Sequence, residues 1–137
     1  MKKALVSVAA VAVAIAFSGS AAIAAKCPIK IGGLAPLSAP GAVGGGEAMR
    51  DAMLFAERDI NAAGGVLGCK VKVVIADTEG LPEKASAIME KLITQDGVVA
   101  IGGGYHSSVG VAAKDVSNAR GIPTVFAETW NDTITGD

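Results

Sequence analysis

The residues best suited to chemistry form one run, Gly102-Gly103-Gly104-Tyr105-His106-Ser107-Ser108. Residues 98–101 before it are wholly apolar and read as a short buried strand. Behind it Val109, Ala112, Ala113 and Val116 recur at helical spacing. A strand thus passes through a glycine turn into a helix that Ser107 or Ser108 is expected to cap. Such a turn aims backbone N–H groups outward beside serine hydroxyls, and the helix dipole adds partial positive charge. The chemistry is that of a small anion socket, fit for a carboxylate or a phosphate. The same run also serves as plain turn geometry at a strand end.

Enzymatic alternatives fail on spacing. A nucleophile elbow needs G-x-S-x-G. Ser108 is flanked two residues away by His106 and Gly110, and Ser107 by Tyr105 and Val109. His106 is the chain's single histidine, and a base adjacent in sequence rarely points at its nucleophile; it reads as a polar rim residue. No catalytic residue is assigned. One histidine and two distant cysteines match no zinc spacing, so no metal is expected. The glycines miss both the dinucleotide and the Walker patterns, so no cofactor is expected. A net charge of −1 without a basic stripe gives no case for nucleic acid.

The elements that must position this run alternate. A strand over residues 29–34 ends at Pro36-Leu37-Ser38. A helix starts near Gly45 or Gly46, with Met49, Ala52, Met53, Ala56 and Ile60 on one apolar face. Gly64-Gly65 stops it. Residues 71–76 form a second strand, ending at Asp77. Pro82 opens a second helix, whose buried face is Ala85, Ile88, Met89, Leu92 and Ile93. Asp96-Gly97 turns the chain into the central strand. Gly121 closes the third helix, and residues 123–127 form a fourth strand. The fold class is therefore α/β, a Rossmann-like parallel sheet with flanking helices.

Ligands of such sheets bind at the carboxyl ends of the strands. Loops 36–46, 77–81 and 102–108 converge there, joined by residues 128–131. Tyr105 and Trp130, the chain's one tyrosine and one tryptophan, both fall on this rim. Trp130 serves either as a pocket wall or as cover for an open sheet edge. Asp77 serves either the rim or as a cap for its own loop.

The amino terminus reads as an export signal. Lys2 and Lys3 precede a mostly apolar run over residues 4–17, and Ala22-Ile23-Ala24 offers an A-x-A cleavage pattern. The apolar run is short for a membrane span. Residues 1–24 are therefore expected to be a cleaved signal peptide, leaving residues 25–137 as one small domain. The hydrophobic content of 51% overstates the core for that reason. Lys26 stands where a lipid-anchor motif at Cys27 needs a small residue.

Asp59-Ile60-Asn61-Ala62-Ala63-Gly64-Gly65-Val66-Leu67-Gly68, followed by a strand ending in Asp77, resembles the solute-binding proteins of branched-chain amino acid ABC importers. Pro36-Leu37-Ser38, the Gly-Tyr-His-Ser-Ser turn and Gly121-Ile122-Pro123 resemble the same family in the same order. The resemblance implies a two-lobed, periplasmic, non-enzymatic protein of the type I fold that closes on an amino acid and hands it to a membrane permease. It implies that Ser107 and Ser108 grip the ligand carboxylate and that Thr129 contributes, with Glu128 and Trp130 beside it. Ser38, on the first rim loop, and Tyr105 complete the expected ligand-binding set. Members of the family are far longer, so residues 25–137 are expected to be an incomplete amino-terminal lobe. A secreted α/β hydrolase, or a ligand-sensing receptor domain of the same fold, stands as the alternative.

Cys27 and Cys69 each lie two residues before a strand. If the first two strands are parallel neighbours, both thiols sit at the end of the sheet away from the rim. Strand spacing of about 4.8 Å falls within disulfide reach, and export permits oxidation. A Cys27–Cys69 disulfide is expected, with two unpaired thiols as the alternative if the register slips by one residue.

Overall fold

The structure is a computed structural model, and it describes residues 27–135. The expected signal peptide, residues 1–24, lies outside the described residues. Four parallel strands stand in the order β2-β1-β3-β4: β1 is Ile29–Ala35, β2 Val71–Asp77, β3 Ala100–Gly103 and β4 Thr124–Phe126. Three helices connect them, α1 (Val43–Ala62), α2 (Pro82–Lys91) and α3 (Ser107–Arg120), and a π-helical turn, Leu92–Asp96, extends α2. A 3-10 turn, Asp132–Ile134, follows β4. No helix among the described residues is long and apolar enough to cross a membrane.

Side chains alternate between the faces of a strand. Leu34, Ile101, Val74, Ala76 and Phe126 meet Met89, Leu92, Val98 and Ala113 on one face, where α2 and α3 lie. Leu34, Met89 and Ala113 are fully buried there. Arg120 of α3 clasps Glu90 of α2 at 2.7 Å on the surface. The other face carries the register row Ile75, Gly33, Gly102, Val125. A side chain at Gly33 would meet Met53 of α1, so α1 covers β1 and β2. The half over β3 and β4 is open, and Val125 is 72% exposed.

That half-cover corrects the expected apolar face of α1. Met49 is buried and Met53 half-buried, but Ala52, Ala56 and Ile60 are exposed. The helical spacing is real; the sheet beneath it is narrower than the stripe. Helix α1 also starts earlier than Gly45, at Val43.

The central strand is displaced from its expected place. It runs over Ala100–Gly103 rather than residues 98–101, so two of the three glycines belong to the strand. Pairing with β1 on one side and β4 on the other holds both in the sheet; tertiary context overrides the low strand preference of glycine. The turn begins at Gly103 and Gly104, with φ of 104° and 79°. A Cβ at Gly103 would strike the carbonyl oxygen of Leu34, so the chain tolerates only glycine there.

A disulfide joins Cys27 to Cys69, with Cα atoms 5.2 Å apart. Ile29 pairs with Val71 in register, which places the two cysteines side by side at the amino ends of β1 and β2.

Candidate ligand-binding rim

The strand order reverses at β1. The chain runs from β1 out to β2 and returns to β3 on the opposite side. The carboxyl ends of β1 and β3 are therefore the switch point, where open α/β sheets take ligands. The β1–α1 and β3–α3 loops leave from it, flanked by the segment after β4.

Neither serine caps α3. His106 holds the cap position without a side-chain cap bond, and Ser107 is the first helical residue. The Ser107 hydroxyl reaches across the rim instead, where its Oγ accepts the Trp130 backbone N–H at 2.9 Å. One lone pair is thereby spent on the β4 loop, and the hydroxyl proton is left to donate. Backbone N–H groups at the first turn of a helix have no intrahelical acceptor and face the same space. Ser108 beside them is exposed.

Thr129 leans on α3. A side chain at Gly110 would lie 2.8 Å from its methyl group, and one at Gly104 3.9 Å from it, so two glycines give Thr129 its seat. Tyr105 is half-buried, its ring resting on Gly45 of α1. Trp130 is 86% exposed, which rules against a place beneath the sheet edge. Glu128, Thr129 and Trp130 line a depression of about 450 Å³. Tyr105 and Glu128 line a second, of about 430 Å³, with Gly45, Ala48 and Met49 of α1.

Ser38 lies apart from that group. Its hydroxyl donates to Asp77 Oδ2 at 2.5 Å. Asp77 Oδ1 accepts the Leu37 N–H at 2.7 Å and the Glu79 N–H at 2.9 Å, so the carboxylate ties the β1–α1 loop to the β2–α2 loop. Burial alone would push the Asp77 carboxyl up. The bonds from Ser38, Glu79 and Leu37, with the charge of Lys84, outweigh it and hold the group below the ordinary carboxylate range. Stability from this knot is complete above the unfolded aspartate value, near pH 4. It is lost as pH falls through the lower folded value. Asp77→Asn is expected to cost roughly 1.5–3 kcal/mol at neutral pH, by the scale of hydrogen bonds to charged groups, and to remove that acid limb. Urea titrations from pH 2 to 7 check it; parallel curves for the two proteins would show that Asp77 carries no such linkage.

The knot continues across the rim. Gly41 packs against the Glu79 backbone, and Gly80 lies under the His106 ring, where a Cβ would stand 2.8 Å from Cε1. His106 Nδ1 is buried with no hydrogen-bond partner among the described residues, and its ring meets Tyr105 edge-on at 5.3 Å. Sequence reasoning overlooked His106 as a wedge, and it did not see that the Trp130 backbone would engage Ser107. Its one signal was the turn residue Gly80 near the loop tip.

The chain belongs to the periplasmic binding protein family, whose sequence profile matches residues 28–137. It is 36% identical over 122 residues to Leu/Ile/Val-binding protein homolog 8 of Brucella suis, covering 89% of this chain and 30% of that one. It is 35% identical over 111 residues to an amino acid binding protein of Pseudomonas aeruginosa, covering 81% of this chain and 29% of that one. Among solved structures it resembles the branched-chain amino acid substrate-binding protein LivJ of Streptococcus pneumoniae, determined with isoleucine. The TM-score is 0.73 at 30% identity, over 78% of this chain and 30% of that one. The four-stranded sheet and its helices are those of type I periplasmic binding proteins. The chain spans about 30% of the length of these relatives.

Proposed function

We propose that residues 25–137 are the amino-terminal lobe of an exported solute-binding protein, freed of residues 1–24 by signal cleavage, that carries an amino acid to the permease of an ABC importer. The observation that carries this reading is the bond between Ser107 and Trp130 at the switch point. It fixes a hydroxyl donor and the first turn of α3 beside Thr129, with Tyr105 and Trp130 as apolar walls. A ligand carboxylate accepts from Ser107 and the amides about Ser108. Thr129, Glu128 and the two aromatic rings contact the rest of the ligand. Ser38, its proton given to Asp77, offers only acceptor lone pairs. Leucine and isoleucine are the first ligands to test, because relatives are named for Leu/Ile/Val binding and a structural neighbour holds isoleucine.

The test is a thermal-shift and calorimetric titration of the two-lobed protein with leucine, isoleucine and valine, alongside an assay of ester hydrolysis. A ligand at 100 times its dissociation constant stabilises the protein by about 2.7 kcal/mol. Stabilisation without ester turnover supports transport binding. Turnover without stabilisation would move the serine turn to a hydrolase.

A further inference from the structure

Among the described residues, strand β2 is an edge of the sheet, with β1 as its one neighbour. Ile29 N donates to Lys70 O, so the backbone groups of Lys70 and Lys72 face β1 and those of Val71 and Val73 face outward. An outward row of unpaired N–H and C=O groups is a template for another strand. Here the first three groups of the row are occupied by side chains from the carboxyl half of α1. Asn61 Oδ1 accepts the Val71 N–H at 2.8 Å, and Asn61 Nδ2 donates to Val71 O at 2.8 Å. One turn earlier, Glu57 Oε2 accepts the Val73 N–H at 2.6 Å.

We propose that Asn61 and Glu57 close the outer edge of β2 to strand addition, so that a second copy of the chain is refused there. The carboxamide of Asn61 makes both bonds that the peptide of an added strand would make to Val71. Glu57 takes the next outward donor. Lys72 reinforces the block, since it holds Glu57 Oε1 at 3.3 Å and is itself 57% exposed. Lys70 donates to Asn61 O at 2.6 Å, tying the helix end to the strand it guards. Two lysines on a guarded edge also repel the same edge of another copy. The disulfide ties Cys69, in the loop between α1 and β2, to Cys27 just before β1.

The experiment pairs hydrogen exchange at the Val71 and Val73 amides with light scattering over a range of concentrations. It compares the whole protein with its Asn61→Ala/Glu57→Ala variant. In dilute solution the variant is expected to exchange these two amides about tenfold faster, the scale of one lost hydrogen bond each. As concentration rises it is expected to gain mass and to regain protection at the same two amides. Glu57→Gln, which keeps an acceptor for Val73, is expected to behave as the parent. Should the double variant lose its circular-dichroism signal, Asn61→Ala alone, which removes both partners of Val71, is read in the same way at the Val71 amide. Unchanged mass at every concentration overturns the proposal. So does association that leaves Val71 and Val73 unprotected, since it would place the contact elsewhere.

Discussion

Replacing Ser107 with alanine is expected to weaken the ligand affinity of the two-lobed protein by about 1.5–3 kcal/mol, the range for hydrogen bonds to charged groups, or roughly ten- to a hundredfold. Two losses combine. The hydroxyl proton is no longer offered to the carboxylate, and the Trp130 N–H loses the acceptor that held it at 2.9 Å. Because the β4 loop is anchored there, Thr129 and Trp130 also lose a fixed position against α3. Ser108→Ala, which removes an exposed hydroxyl and leaves its backbone amide in place, is expected to cost less. Titration calorimetry of both variants separates the two serines. Unchanged affinity for Ser107→Ala would remove this hydroxyl from the ligand's contacts.

Cys27→Ser/Cys69→Ser is expected to lower unfolding stability by roughly 3–4 kcal/mol. The bridge spans 42 residues, and chain entropy assigns a closed loop of that size roughly this much. The cost falls on the unfolded chain, which gains freedom, more than on any native contact. Urea unfolding of the parent with and without reductant, beside the double variant, reads it directly. Reduced parent and variant should coincide, below the oxidised parent. Equal midpoints for all three, or two alkylatable thiols in the non-reduced protein, would refute a stabilising bridge.

What the sequence makes legible follows a physical line. Local periodicity and stop signals place α1, α2 and α3, and alternation of strand and helix dictates a parallel sheet. The adjacency of Cys27 and Cys69 needs only the register of two neighbouring strands. Errors begin where an outcome depends on distant partners. Gly102 and Gly103 read as turn because glycine has no strand preference of its own, yet β1 and β4 hold both in the sheet. The stripe of α1 reads as buried because periodicity reports a helix's apolar side and not the width of sheet below it. The serine cap is lost because Ser107 meets a backbone group 23 residues away, a contact no local pattern records. Asp77 is visible as a loop residue, but its grip on Ser38 spans 39 residues and needed the fold to be seen.

The disulfide also bears on the order in which the chain takes shape. It lies on the β2 side of β1, away from the flank that receives β3. In a chain exported amino end first, as proposed above, an oxidising space receives Cys27, α1 and Cys69 before Ala100. Oxidation at that stage locks a β1–α1–β2 unit covalently, already in the register of Ile29 with Val71. The opposite flank of β1 stays free to receive the central strand. The late-arriving β3 then docks on a prepared partner, and β4 with Thr129 and Trp130 completes the ligand rim after it.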